Sequence, residues 1–128
     1  MFVQVYRKRK LIAEMTVDLA AKTVSKYRTY IDDIIDLPFG VNRQPNYIAF
    51  IDFLESRCPP RERANIKELL DNWNLLEYDP LAITKRTHGL MFGDFIWIRF
   101  DNEDTSYDKI KEFYYGKNTQ TCAVCILR

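Results

Sequence analysis

The sequence predicts an α+β domain, in which three to four helices pack on one side of an antiparallel sheet. Apolar and polar residues alternate over the first 30 or so positions, and apolar residues then follow a helical period from about residue 45. With 128 residues, 47% hydrophobic and 14% aromatic, the chain can bury one core and is too short for two full domains. We therefore expect a single domain over residues 1–128.

The N-terminal part predicts a β-meander of three antiparallel strands. Residues 2–6 alternate and lead into a basic turn, and residues 11–17 are apolar and β-branched enough for a return strand. Residues 23–30 alternate with a period of two and supply the third strand. Residues 31–46 hold several aspartates, two prolines and a glycine, which predicts a connecting loop.

Three helices are predicted over the middle of the chain. The first covers residues 45–58, with a proline in its first turn and two prolines after its end. The second covers residues 60–73, again with a proline in the opening turn, and carries one apolar face. The third, residues 79–86, starts with a capping aspartate followed by proline and is ended by a glycine.

The C-terminal part predicts one more strand and one more helix. Residues 95–100 are the most strand-like segment of the chain, apolar at five of six positions, which favours a central place in the sheet. A charged loop follows, and a fourth helix is expected from Thr105 until Gly116. Residues 119–127 alternate weakly and predict an added edge strand.

The charge balance and the cysteines limit the classes of function and compartment. The chain has 19 Lys and Arg against 18 Asp and Glu, without the basic excess of a protein that mainly grips nucleic acid. The apolar stretches fall far short of the ~20 residues of a membrane span, and the N-terminus lacks the order of a signal peptide. Three cysteines also fit a reducing compartment. We expect a cytoplasmic protein without membrane contact.

Catalytic motifs are missing from the sequence. His88 is the only histidine, and its place at a helix end favours a capping role over that of a catalytic base. Gly89 and Gly93 lack the Lys-Ser/Thr of a phosphate-binding loop, and no kinase motif occurs. We therefore expect no enzymatic activity and no cofactor.

Two candidate ligand sites have simpler structural explanations. Cys122 and Cys125 have metal-ligand spacing and, with Cys58 and His88, would complete a zinc site, but buried inert thiols are the favoured interpretation. A basic run is a candidate anion site, although a solvated hairpin turn is favoured for it. Its members are Arg7, Lys8, Arg9 and Lys10.

Aromatic residues exceed what is usual, with eight Tyr, eight Phe and two Trp. Most must fill the core, but aromatic side chains near loops and helix ends typically anchor protein partners. The candidate partner-binding residues are Trp73, Tyr78, His88 and Phe92.

The order of elements and several short motifs together carry a family resemblance over about residues 1–100. Residues 12–15 supply an apolar-Glu run in the opening strand pair, and residues 78–93 supply a short helix with a glycine-bounded turn. The other residues that carry it are Leu37, Pro38, Phe39, Phe50, Phe53, Pro59, Arg63 and Ile66, with Arg57 and Cys58 in place of two leucines. On these residues the chain resembles the N-terminal subdomain of HipA-like serine/threonine kinases, the toxins of bacterial toxin–antitoxin modules, and residues 101–128 lie outside the resemblance.

This resemblance implies a non-catalytic module, because the nucleotide and phosphotransfer motifs of the kinase lie in a later domain. In some operons the subdomain is encoded separately, and the small protein binds the kinase and restrains it. Two alternatives remain open. One is a mobile-element protein that binds nucleic acid, or a nucleic-acid enzyme, through the basic run and the arginines at 57, 61 and 63. The other is a zinc-stabilised domain.

Overall fold

The computed structural model describes residues 1–91 and 93–110 and has the predicted α+β architecture. A four-stranded antiparallel sheet has the strand order β3-β2-β1-β4. In chain order the elements are β1 (Phe2–Arg7), β2 (Lys10–Asp18), β3 (Thr23–Thr29), α1 (Tyr47–Ser56), α2 (Ile66–Asn72), α3 (Pro80–Thr87) and β4 (Ile96–Phe100). The three-strand meander and the helices at α1 and α3 are therefore confirmed.

One face of the sheet carries the main core. In β1, Val3 and Val5 point to this face and pair with Met15 and Ala13 of β2, and all four are fully buried. Helix α1 covers them with Phe50 and Leu54 from one side of the helix. The alternating apolar residues of β1 and the apolar residues on one side of α1 therefore pack together in a single layer.

The helix boundaries follow from their caps. The side chain of Asn46 accepts a hydrogen bond of 2.8 Å from the Ala49 backbone and starts α1, and Asp79 does the same for α3 ahead of Pro80. Helix α2 begins at Ile66 instead of residue 60, because residues 61–65 form turns that directly follow the two prolines. The prediction of a helix from Pro60 onward was therefore wrong in its start.

Strand β4 lies at the edge of the described sheet and pairs with β1, so the prediction of a central position was wrong. Its apolar residues are nevertheless buried, because both faces of the strand are covered. The outward backbone groups of Ile96 and Ile98 are also bonded: Arg57 donates to the Ile96 carbonyl at 3.1 Å, and the Ile98 amide donates to the His88 carbonyl at 2.8 Å. An arginine side chain and a backbone carbonyl thus form the hydrogen bonds that a neighbouring strand would otherwise form with this edge of β4.

Helical structure packs on both faces of the sheet, which corrects the expectation of helices on one side. Trp97 pairs with Tyr6 in the β1–β4 register, one position away from the core-facing pair Val5 and Ile98, and therefore points to the opposite face. There it is buried with Ile110 from a helical turn that begins at residue 107. The rest of the fourth predicted helix and the predicted strand at 119–127 lie outside the described residues.

Within the described part of the chain, no helix has the length and apolar character needed to cross a membrane.

Candidate functional site

A concave surface of about 460 Å³ lies at the C-terminal end of α1, and we call it the Tyr78 pocket. Its wall comes from the end of α1, the proline-rich turn after it and the loop between α2 and α3. Its lining residues are Glu55, Ser56, Cys58, Pro60, Arg61, Glu62, Tyr78 and Met91. Tyrosine, methionine and arginine, which are three of these residues, are enriched in protein–protein interfaces.

Tyr78 is held in place at its hydroxyl and at the face of its ring. Its hydroxyl donates a hydrogen bond of 2.7 Å to the Pro59 carbonyl, and the Arg61 guanidinium lies 4.3 Å from the centre of its ring. Arg61 is itself held by a hydrogen bond of 2.8 Å to the Glu55 carboxylate. Burial raises the pKa of the Tyr78 hydroxyl to about 12, so the side chain is neutral and acts as a hydrogen-bond donor.

Cys58 at the floor of the pocket is a structural thiol. Its sulfur lies 3.1 Å from the Leu54 carbonyl oxygen and 3.5 Å from the Thr84 hydroxyl. Burial raises the pKa of the thiol to about 11, which keeps it protonated and unreactive at neutral pH. Among the described residues, no group of His, Cys, Asp or Glu could hold a metal ion. Cys122 and Cys125 lie outside the described residues.

Arg57 is a buried structural residue, which corrects its assignment to a surface basic group. The residue is 7% exposed. Its guanidinium donates to both carboxylate oxygens of Asp94, at 2.5 and 3.0 Å, and to the carbonyls of Gly89 (2.8 Å) and Ile96 (3.1 Å). This two-pronged geometry suits arginine and ties the end of α1 to the start of β4. We call this set the Arg57 clamp.

Several side chains of the basic run make contacts within the chain. The Lys8 ammonium lies 4.7 Å from the centre of the Phe95 ring. Arg9 forms an ion pair with Asp108 and lies over the Tyr107 ring. Arg7 lies 3.8 Å from an Asp36 carboxylate oxygen, so three of the four cations have partners within the chain. The candidate anion site therefore has fewer available charges than the sequence indicates.

The three candidate partner-binding residues that the structure describes do not form one surface. Tyr78 lies in the pocket, whereas Trp73 is 4% exposed and packs in a core between the helices. His88 caps α3 in a left-handed conformation (φ 56°), and its Nδ1 lies 3.3 Å from the Ile98 carbonyl oxygen and 3.4 Å from a Glu103 carboxylate oxygen. Phe92 lies outside the described residues.

Leu76 is an exposed apolar residue that the sequence patterns do not identify. It is fully exposed, two positions before Tyr78 and in the same loop between α2 and α3. Asn74, with φ 59°, ends the preceding helix and turns the chain, after which Leu75 packs partly inward and Leu76 projects into solvent. The paired leucines after a helix end were the only signal, and they do not reveal which one is buried.

Comparisons with models of known protein families, with curated proteins and with solved structures give no match to this chain.

Proposed function

We propose that this chain is a non-catalytic regulatory module that docks on a HipA-like serine/threonine kinase and restrains it, within a toxin–antitoxin-type system of the bacterial cytoplasm. The choice of partner rests on the sequence resemblance over residues 1–100. The docking surface is the Tyr78 pocket together with the exposed Leu76.

The observation that carries the proposal is the ordered aromatic–arginine pair at the pocket. Tyrosine and arginine dominate the binding energy of protein interfaces because they combine large apolar area with directional hydrogen bonding. Here Tyr78 and Arg61 are held by Pro59 and Glu55, so little conformational entropy remains to be lost when a partner binds. Leu76, two positions before Tyr78 in the same loop, offers an exposed aliphatic side chain that a partner can bury.

The mechanism follows from the separate-subunit arrangement of the family. A subdomain encoded on its own would occupy the kinase surface that its fused counterpart covers, and thereby block the movement or access that catalysis needs. Such a module needs shape and a few anchors, and it needs no reactive group of its own.

The test is a pull-down of the tagged full chain from its native cytosol at moderate salt, with mass spectrometry of the retained proteins. We expect a HipA-like kinase to be retained by the wild type and to be lost with Leu76→Asp and with Arg61→Glu, both at exposed positions. Ile48→Asp is the matched control, since Ile48 is an exposed residue on α1 outside the pocket.

Two results would contradict the proposal. If nucleic acid or an enzyme that acts on it is retained and no kinase is, the kinase is not the partner. If the variants Leu76→Asp and Arg61→Glu retain the kinase as well as Ile48→Asp does, the kinase is the partner but the Tyr78 pocket is not the docking surface. Inhibition is then measured with the purified complex as the rate of kinase autophosphorylation, which we expect to fall on adding the wild-type chain.

A further inference from the structure

A second surface lies at residues 30–36, between β3 and α1, and shares no lining residue with the Tyr78 pocket. We call it the acidic loop. Its ends are fixed, because Tyr30 donates its amide to the Ile12 carbonyl at 2.9 Å and Ile31 packs against the main core. The buried Leu37 anchors the chain directly after the loop.

The middle of the acidic loop projects aliphatic side chains into solvent. Ile35 is 88% exposed, and Ile34 beside it is also exposed. A hydrogen bond of 3.0 Å from the Ile35 amide to the Asp33 side chain holds this turn. Ile35 therefore gains little from burial within this chain, and a neighbouring exposed tyrosine at position 30 extends the apolar area.

Carboxylates line a groove of about 430 Å³ beside these isoleucines. Asp36 faces Arg7 at 3.8 Å, whereas Asp32 and Asp33 form no ion pair with any other described residue. Lys10 lies on the groove as the one cation of its lining without a carboxylate within ion-pair distance in the described chain. Two unpaired carboxylates against one unpaired ammonium give the groove a preference for cations.

We propose that the acidic loop docks a basic, aliphatic segment of a partner protein. Aliphatic side chains of the segment pack on Ile34 and Ile35, and a lysine or arginine enters the groove to meet Asp32 and Asp33. The charge of the groove disfavours nucleic acid and anionic membranes as occupants. This site is independent of the kinase proposal, since it uses other residues and needs no particular identity of the partner.

The test is fluorescence anisotropy of the full chain with a labelled amphipathic peptide of leucine and lysine at helical spacing. Matched peptides with glutamate for lysine, or with serine for leucine, serve as controls. We expect the Leu/Lys peptide to bind best. Ile35→Ser and the pair Asp32→Asn with Asp33→Asn should each weaken binding about tenfold.

Lys10→Glu gives a test of opposite sign. Removing the unpaired ammonium from the groove and adding a carboxylate should tighten peptide binding about threefold, with a stronger dependence on salt. Asp71→Asn and Ile48→Ser, at exposed positions outside the loop, should leave the affinity unchanged. All these positions are exposed, so thermal unfolding should show that each variant folds as the wild type does.

Three results would overturn the proposal. One is equal affinity of the wild type and the acidic-loop variants; another is equal loss in the Asp71 and Ile48 controls, which would indicate unspecific attraction. The third is a concentration-dependent dimer in light scattering that Ile35→Ser abolishes, because the occupant would then be a second copy of this chain.

Discussion

Replacing Arg57 with methionine removes the Arg57 clamp while keeping most of the volume of the side chain. The buried carbonyls of Gly89 and Ile96 each lose their arginine donor, at a cost of about 1–3 kcal/mol apiece. Asp94 contributes less, because its side chain is 41% exposed and water replaces the guanidinium. We expect Arg57→Met to lower the free energy of unfolding by about 3–5 kcal/mol, the range for breaking a buried pair from one side.

The measurement is urea denaturation followed by far-UV circular dichroism and by tryptophan fluorescence. Arg61→Met is the matched control: Arg61 also forms a hydrogen-bonded ion pair, but an exposed one, so its loss should cost less than about 1 kcal/mol. Asp94→Asn should fall between the two, because Arg57 keeps both carbonyl acceptors. A loss below about 1 kcal/mol in Arg57→Met would refute the structural role of the clamp.

Three further predictions concern single side chains. Tyr27→Phe should raise the free energy of unfolding by up to about 1 kcal/mol in the same denaturation assay, because the buried Tyr27 hydroxyl has no hydrogen-bond partner among the described residues; a loss of stability would contradict this. With Cys122→Ser and Cys125→Ser in place, Cys58 should react with a maleimide at neutral pH only after denaturation, because burial raises its pKa to about 11; rapid labelling of the folded chain would contradict this. Burial raises the pKa of Tyr78 from 10.0 to about 12, so its contribution to stability should be complete below pH 10 and be lost as the pH rises through 12. Denaturation measured as a function of pH should show this loss in the wild type and not in Tyr78→Phe.

The elements with a regular period or a cap were predictable from the sequence. Strand β1 alternates because Val3 and Val5 face the main core while Gln4 and Tyr6 face the other side of the sheet, and α3 starts at an aspartate–proline cap that the structure retains. Strand β4 was misplaced because its apolar content signals burial, whereas a central position depends on what bonds its outer edge. That edge is bonded by Arg57, which lies 39 residues before Ile96, and by the carbonyl of His88, which lies outside the strand; no pattern within the strand encodes these contacts.

The candidate site was predictable only in part, for a related reason. Tyr78 was singled out because it precedes a helix cap, and it does line a pocket. An arginine before Cys-Pro-Pro resembles any surface cation, and its burial follows only from the carboxylate and carbonyls that β4 and its preceding loop bring to it. Long-range contacts of this kind decide whether a charged residue binds a partner or stabilises the fold.

The pairing of β1 with β4 also has a consequence for folding and synthesis. Val3 of β1 pairs with Phe100 of β4. The second edge of β1 is therefore covered only after nearly all of the described sequence has been synthesised. During synthesis we expect the β1–β2–β3 meander to form first from local contacts and to leave the other edge of β1 open to solvent until β4 emerges. Because this long loop closes late, we expect the last step of folding to be slow and the nascent chain to bind chaperones during that interval.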